Sequence, residues 1–537
     1  MRWTWRLAVV AAASVLLTLA YLAPYAAVNQ ATYLLDPLHR AMPELFHRDW
    51  FISDTPPYLP VFGWLAQWLY LIDPEGPVAF AIAHVVVMLA SYAAIYAIVR
   101  SLEGDWRAFV IVASFVTVTK GISMGGSYLL VGYLQPSSLG TLGWLVAMAA
   151  LLSGRYLTCG IAAAAAGALH ANYLVLGIGL FTLAALARRD VPLRGHVAIL
   201  GPQLVVLAAF APSLFAAAGV NDQALWILTH FHAPVHYAPG RLVGWIPTLI
   251  AWQIGAYAAV YLLEGARSAR MLWRFSLVAF GIVAGSALVI RYAGLASLTQ
   301  VRWSRIGPFG ELACQVLIAV AIVRQALTPR ALSLRARVLV GLALLVPMYE
   351  TGNHLFKLTP WSAIGVGSAL LLIALVPWPR VARAAVLALT VVTLGFALWA
   401  SPRAEGLTTA TSAPDEELAL AQWIRTQTPA DALFLAPPSE YRFRLLTHRA
   451  MVVDTKSPPL RPDLLIEWYR RLCAMTLYPD APTFQAVEAK YDQLSAAELE
   501  QVAAKFGADY IVVASSTAFP ETPLYANAVY RVFRARR

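Results

Sequence analysis

Long apolar segments separated by short polar loops make up the first 400 residues of the chain. A helix needs about 20 apolar residues to cross a bilayer, because in lipid its backbone groups must bond within the helix. The pattern therefore predicts thirteen membrane-spanning helices. They are expected at residues 7–28, 77–99, 108–125, 137–153, 156–170, 172–187, 197–219, 243–263, 273–291, 308–325, 336–349, 361–378 and 382–400. For the first of them, a cleaved signal peptide is the alternative to a retained anchor.

The apolar segment 57–71 is interpreted as an interfacial helix, because several Pro and Gly residues interrupt its beginning. With this choice nearly all basic clusters fall on one side of the membrane. These clusters lie at 100–107, 155, 188–194, 267–274, 324–337 and 380–383. Basic loops mark the cytoplasmic side, so the N-terminus is expected inside and the chain after residue 401 outside, in the periplasm of a bacterium.

The predicted fold class is an α-helical polytopic membrane protein with a small C-terminal α/β exterior domain. Residues 1–401 form the transmembrane domain, with a first outer loop at 29–56, and residues 402–537 form the periplasmic domain. In the latter, apolar runs at 432–436, 450–454, 510–514 and 529–533 predict strands. Ser495 and Glu498 form a capping box that opens a helix, which Gly507 ends. This domain shows no nucleophile or phosphate loop, so we expect it to cover a site on the outer face.

Composition supports the membrane assignment. Hydrophobic residues make up 59% and charged residues 13%, whereas soluble chains carry about 25% charged residues. These values exclude a disordered chain, a disulfide scaffold and a nucleic-acid-binding protein, although the net charge is +11. The excess positive charge belongs to residues 1–401, since basic and acidic residues nearly balance after that point. The three cysteines form no CxxC motif, which excludes zinc and haem signatures.

The chemically reactive side chains concentrate in the predicted outer loops. Charged residues near a bilayer, away from its basic inner face, are candidates for a functional site. The first outer loop carries Glu44, His47, Asp49 and Asp54, and the other three outer loops carry His230, His232, His236 and Arg241, then Arg302 and Arg305, then Glu350, His354 and Lys357.

Each candidate also has a structural interpretation. Asp49 and Asp54 are suited to capping helices on either side of a Pro-rich turn. Three histidines within seven residues can hold a divalent metal or bind an acceptor, but Pro234 predicts an extended segment of hydrogen-bonded histidines instead. Arg302 and Arg305 are also suited to anchoring lipid headgroups.

The combination of a long acidic first outer loop, an interfacial helix, many spans and a closing exterior domain resembles the GT-C superfamily of membrane glycosyltransferases. The exterior domain adds three sequence motifs that are similar to those of this superfamily: LAQWIRTQTPADALFL from Leu420, HRAMVVD from His448 and FGADYIVV from Phe506. The chain lacks the WWDYG motif of the oligosaccharyltransferase catalytic subunit, so that activity is not implied.

The resemblance implies a glycosyltransferase that moves a sugar, with inversion, from a polyprenyl-phosphate-linked donor to an acceptor hydroxyl at the periplasmic face of the inner membrane. Asp49 is the expected general base, with Asp54 as second choice. Arg241, Arg302, Arg305 and Lys357 are expected at the donor phosphate. The implied partners are the lipid-linked donor, membrane lipids and a glycan, lipid or protein acceptor. Some relatives use a divalent metal near the acidic residue, and that alternative stays open.

Three other classes of protein fit parts of the pattern. A glycan polymerase or ligase would use outer-loop Arg and His in place of a carboxylate base. A transporter or flippase predicts ionisable residues within the spans, which here are nearly uncharged. A structural or sensory subunit predicts that its function does not depend on Asp49.

Overall fold

The computed structural model describes residues 4–56, 59–118, 127–217, 221–293, 298–299, 301–328, 332–356, 378–400, 413–459 and 461–536. Apolar helices dominate the first 400 residues, as predicted. The long ones are Thr4–Tyr21, Pro77–Ser101, Trp106–Val118, Pro136–Leu152, Tyr156–Leu169, Ala171–Arg188, Leu193–Ala217, Ile246–Leu262, Arg267–Tyr292, Gly307–Leu327, Leu334–Phe356 and Pro379–Ala400.

Each of these helices overlaps one predicted span. The remaining predicted span, 361–378, lies outside the described residues except for Trp378. Within the described part, eight helices are long and apolar enough to cross a membrane by length and composition. The total of thirteen spans therefore stays a prediction, whereas the polytopic helical fold is confirmed.

The predicted interfacial segment forms the helix Pro60–Ile72, with its proline in the first turn. Thirteen residues rise only about 20 Å, less than the roughly 30 Å of a hydrocarbon core. Trp64 and Trp68 are more than half exposed on this helix. Tryptophan is typical of the membrane–water interface, so the geometry agrees with an interfacial position.

Short helical segments build the outer loops. They are Gln30–Tyr33, Leu35–Ala41 and Trp50–Ser53 in the first loop, Asp222–Trp226, Ile227–His232, Pro234–Tyr237 and Pro239–Val243 in the second, and Trp303–Ile306 in the third. The predicted extended conformation around Pro234 was wrong, because this proline occupies the first turn of a helix, where its missing N–H costs no hydrogen bond.

The exterior domain is a five-stranded sheet with helices. Its strands are β1 (Leu433–Leu435), β2 (Ala450–Met451), β3 (Tyr510–Ala514), β4 (Tyr525–Ala526) and β5 (Tyr530–Arg534), in the order β2-β1-β3-β5-β4. Strand β1 runs parallel to β2 and β3, and β5 runs antiparallel to β3 and β4. The helices are Asp415–Gln427, Phe443–Thr447, Pro462–Met475, Phe484–Tyr491 and Ala496–Phe506.

The exterior domain and the first outer loop share one hydrophobic core. Phe46 and Trp50 from the loop pack in the same cluster as Leu435 and Trp468 from the domain, together with Phe231 from the second outer loop. Ser495 and Glu498 form the predicted capping box, and Gly507 ends that helix with a φ of 67°. The shared core fixes the exterior domain over one end of the helical bundle, where the cavity described below opens.

Candidate functional site

A cavity of about 1600 Å³ lies between the helical bundle and the exterior domain. The first outer loop contributes Asn29, Thr32 and Tyr33 to its wall, and the exterior domain contributes Lys456, Pro458 and Thr483 among others. Most of the remaining wall comes from segments 127–137, 171–175, 204–214, 228–241 and 298–305. All three parts of the fold are therefore needed to form this cavity.

The charged side chains that line the described part of the cavity are cationic: Arg241, Arg302, Arg305 and Lys456. No Asp or Glu occurs among the described lining residues. A cationic cavity surface without carboxylates in its described part is suited to an anionic ligand, because each group raises the electrostatic free energy of the others until a counter-charge binds.

Arg302 directly precedes the short helical turn Trp303–Ile306, and Arg305 lies within this turn. The turn is held by the Trp303 indole, which donates to the Leu298 carbonyl at 2.9 Å, and by a 3.1 Å hydrogen bond between the Ser304 and Ser127 hydroxyls. The helix Gly307–Leu327 begins directly after it. Its N-terminal dipole adds partial positive charge at the same place.

Both arginines have an unsatisfied Nε. In the described structure this atom is buried in Arg302 and in Arg305 without a hydrogen-bond partner. The Arg305 guanidinium lies 5.9 Å from the centre of the Tyr173 ring. Burial, together with the nearby Arg305, lowers the pKa of Arg302 to about 10. A bound anion would offset both the burial of these guanidinium groups and the repulsion between them.

Lys456 was not predicted from the sequence. It follows β2 in a turn where the Asp454 carboxylate accepts hydrogen bonds from the backbone N–H groups of Lys456 (2.6 Å) and Ser457 (2.7 Å). Thr32 of the first outer loop donates to the Lys456 carbonyl at 3.2 Å. Burial and the nearby Arg302 lower the pKa of Lys456, against the effect of Asp454. The Asp-Thr-Lys sequence after a strand indicates a turn, but nothing local shows that the turn reaches the cavity.

The three predicted histidines all line the cavity. His232 packs edge-on against Trp468, with 5.7 Å between ring centres, and burial, Lys456 and Arg302 lower its pKa to about 3. His230 is exposed and stacks on Trp226. Among the described residues, no group of three or more His, Cys, Asp or Glu side chains is arranged to hold a metal ion.

Asp49 lies elsewhere, fully buried between the first outer loop and the exterior domain. Its Oδ1 accepts from the Phe51 N–H at 3.0 Å, and its Oδ2 accepts from Arg444 Nε at 2.5 Å and the Met451 N–H at 2.9 Å. Arg444 also pairs with Asp454. A carboxylate with these partners caps a helix and joins two parts of the fold, so the geometry does not favour the predicted role of Asp49 as general base.

The other predicted residues of the first outer loop lie outside the cavity, and His47 and Asp54 line a separate pocket of about 220 Å³ together with Asp49. Asp54 is exposed at the end of the helix Trp50–Ser53 and, like Asp49, does not line the cavity. Glu44 and His47 are exposed on the first loop. Glu350 and His354 were expected in a loop but lie within the helix Leu334–Phe356, because the helix continues beyond the apolar segment that ends at 349 into the polar residues that follow it. Lys357 lies outside the described residues.

The remaining lining residues divide into two kinds. Val175, Leu204, Leu207, Ala208 and Leu214 form an apolar wall on two membrane helices. Uncharged hydrogen-bonding groups also line the cavity, among them Asn29, Tyr33, Tyr128, Tyr133, Gln135 and Asn172. The cavity therefore combines a cationic cluster, an apolar wall and groups suited to binding hydroxyls.

Comparison with sequence families gives one match, to DUF6798, a domain of unknown function, over residues 415–475. No curated protein matches the sequence.

Similar solved structures include the Archaeoglobus fulgidus oligosaccharyltransferase tethered to an acceptor peptide, at 12% identity and a TM-score of 0.47, covering 95% of this chain and 69% of that one. They also include ArnT from Cupriavidus metallidurans bound to undecaprenyl phosphate, at 13% identity and a TM-score of 0.46, covering 98% and 97%. The apo state of the same ArnT gives 13% identity, a TM-score of 0.44 and the same coverage. Both proteins are GT-C membrane glycosyltransferases, the kind that the sequence resembles, but the likeness transfers no activity to this chain.

Proposed function

We propose that this protein is a membrane glycosyltransferase that transfers a sugar from a polyprenyl-phosphate-linked donor to an acceptor hydroxyl, with inversion, at the periplasmic face of the inner membrane. The observation that carries the proposal is the pair of partly buried arginines, Arg302 and Arg305, whose Nε atoms lack partners among the described residues. A lipid phosphate supplies the missing acceptor oxygens and counter-charge, and the guanidinium fork matches its geometry.

The apolar wall supports a lipid-linked rather than a soluble donor. Leu204 lines the cavity and is 45% exposed, and the neighbouring Val205 is 71% exposed on the helix Leu193–Ala217. This helix is a candidate membrane span. A polyprenyl chain can therefore leave the cavity along an apolar surface while its phosphate stays beside the arginines.

The cationic cluster also suits the chemistry of transfer. When the anomeric carbon is attacked from the face opposite the donor phosphate, the bond to that phosphate breaks and negative charge develops on the departing oxygen. Positioned donors and cations stabilise charge where it develops, and they act more strongly in a cavity that excludes water. Arg302, Arg305 and Lys456 would hold the departing lipid phosphate in this way.

We expect the purified protein in lipid nanodiscs to bind undecaprenyl phosphate, the shared product of such donors. Uncharged undecaprenol tests the contribution of the phosphate, and inorganic phosphate tests that of the lipid; both should bind much more weakly. Binding can be followed by native mass spectrometry or by the rise in Tm. Equal binding of undecaprenol and undecaprenyl phosphate would remove the basis of the proposal.

One observation favours the second candidate function, a glycan polymerase or ligase. The described cavity lining contains Arg and His but no carboxylate, as expected for that class. Clear preference for undecaprenyl diphosphate over undecaprenyl phosphate in the same assay would favour it.

The proposed topology can be tested with engineered cysteines, because all three native cysteines are buried. Ala430 is exposed in the exterior domain, and Ser153 is exposed in a loop predicted to be cytoplasmic. A membrane-impermeant maleimide added to intact spheroplasts should label Ala430→Cys, and it should label Ser153→Cys only after lysis. Labelling of Ser153→Cys but not of Ala430→Cys in intact spheroplasts would overturn the periplasmic placement of the exterior domain.

A further inference from the structure

A single hydrogen-bond arrangement fixes the tautomer of the neutral His230 ring. The Thr229 hydroxyl lies 2.8 Å from the Leu225 carbonyl and 2.7 Å from His230 Nδ1. A carbonyl can only accept, so the hydroxyl gives its one proton to Leu225. Towards His230 the same oxygen must then accept, which places a proton on Nδ1; in the neutral ring this leaves the Nε2 lone pair free to accept a proton.

The ring is also held in a fixed plane. It stacks on Trp226 with 6.0 Å between ring centres and an angle of 9°. Trp226 in turn lies edge-on against Tyr469, with centres 5.7 Å apart. The Tyr469 hydroxyl lies 2.9 Å from the Ala481 carbonyl and also within hydrogen-bond distance of the Asp480 carboxylate, and it can donate its one proton to either. The exterior domain thereby positions a histidine that belongs to the second outer loop.

The local backbone suits this arrangement. Ile227–His232 is a turn of π-helix between two short α-helices. Such turns are rare and frequently occur at functional sites. Here the turn brings the Thr229 hydroxyl within hydrogen-bond distance of His230 Nδ1, and both His230 and His232 line the cavity.

From these observations we propose that His230 is the proton acceptor of the transfer reaction and that Thr229 is its positioning residue. The inference rests on the proposed function and deepens it, because no carboxylate lines the described part of the cavity. The acceptor's hydroxyl oxygen bonds to the anomeric carbon while the bond from that carbon to the phosphate oxygen breaks, with its electron pair going to the lipid phosphate. The hydroxyl proton passes to His230 Nε2, and the imidazolium later returns it to water.

His230→Gln should lower kcat by about 10²–10⁴, the usual contribution of a general base, and should leave the Kd for undecaprenyl phosphate unchanged. The assay measures release of undecaprenyl phosphate from undecaprenyl-phosphate-linked glucose, mannose and arabinose. Turnover of His230→Gln close to that of the parent protein would overturn the assignment. If the parent protein itself did not bind undecaprenyl phosphate, the result would instead count against the proposed function.

Thr229 is tested by a matched set of variants. Thr229→Val removes the hydroxyl and should lower kcat by about 10- to 100-fold, the effect typical of removing a group that orients a metal-bound histidine ring, with little change in KM. Thr229→Ser keeps the hydroxyl and should restore most of the rate. Thr390→Val is the control, because its hydroxyl also bonds to the carbonyl four residues before it, but in a helix that does not line the cavity. Equal effects of Thr229→Val and Thr390→Val would reject the positioning role.

The tautomer can be measured without any turnover. In protein labelled with ¹⁵N-histidine and held at a pH where the ring is neutral, the signals that disappear in His230→Gln should show a protonated Nδ1 and an unprotonated Nε2. In Thr229→Val this preference should weaken. A protonated Nε2 in the parent protein would overturn the proposal, even if none of the three donors were used.

Discussion

Replacing Arg444 by methionine should lower the stability of the exterior domain and its attachment to the first outer loop by about 3–5 kcal/mol, the usual effect of removing one partner from a buried ion pair. The Arg444 side chain is about 1% exposed and lies between Asp49 and Asp454, both fully buried. Burial would lower its pKa, but the two carboxylates outweigh that effect and raise it. Methionine fills a similar volume without charge, which leaves two buried carboxylates unpaired.

The matched control is Arg461→Met in the same domain. Arg461 pairs with Asp463, and these side chains are 43% and 60% exposed. Exposed pairs contribute about 0–1 kcal/mol, so this variant should keep the parent Tm. We expect Arg444→Met to show a lower Tm and faster tryptic cleavage of the exterior domain. Similar Tm values for the two variants would show that the buried cluster contributes little.

Asp49→Asn in the same experiment separates the two interpretations of this residue. The Asp49 carboxylate accepts hydrogen bonds from three donors, whereas an amide has one acceptor oxygen and places an NH₂ group against the remaining donors. From the structure we therefore expect a loss of stability similar in kind to that of Arg444→Met. A stable Asp49→Asn protein that binds undecaprenyl phosphate but transfers no sugar would restore the general-base role expected from the sequence.

The fold was largely predictable because its signals are local. An apolar run sets each membrane helix, and Ser495 with Glu498 marks the start of a helix in the exterior domain. The site was only partly predictable. Arg302 and Arg305 stood out because basic residues are unusual in outer loops next to spans, and the structure places both in the cavity.

The rest of the site depends on contacts between distant parts of the chain. Lys456 reaches the cavity only because the exterior domain packs on the first outer loop. Asp49 looked catalytic because it is an acidic residue in that loop, but its partners, Arg444 and the Met451 N–H, lie about 400 residues further along the sequence. No periodicity or local motif in the sequence indicates a contact between residues so far apart. From the sequence alone, a residue that joins two domains therefore cannot be distinguished from one that faces a ligand.

Replacing Arg302 or Arg305 by alanine should weaken binding of undecaprenyl phosphate by about 10- to 150-fold, because a hydrogen bond to a charged group contributes roughly 1.5–3 kcal/mol. The corresponding lysine variants should recover only part of the affinity, since an ammonium group lacks the planar fork that binds two phosphate oxygens. Arg267→Ala is the control, because Arg267 is exposed, pairs with Asp190 and does not line the cavity. Kd values from nanodisc binding give the comparison, and turnover of the same variants shows whether the loss extends to the reaction. If both alanine variants bound undecaprenyl phosphate as tightly as Arg267→Ala, the two arginines would be anchors for bulk lipid headgroups, and the phosphate site would have to be sought at Arg241 and Lys456.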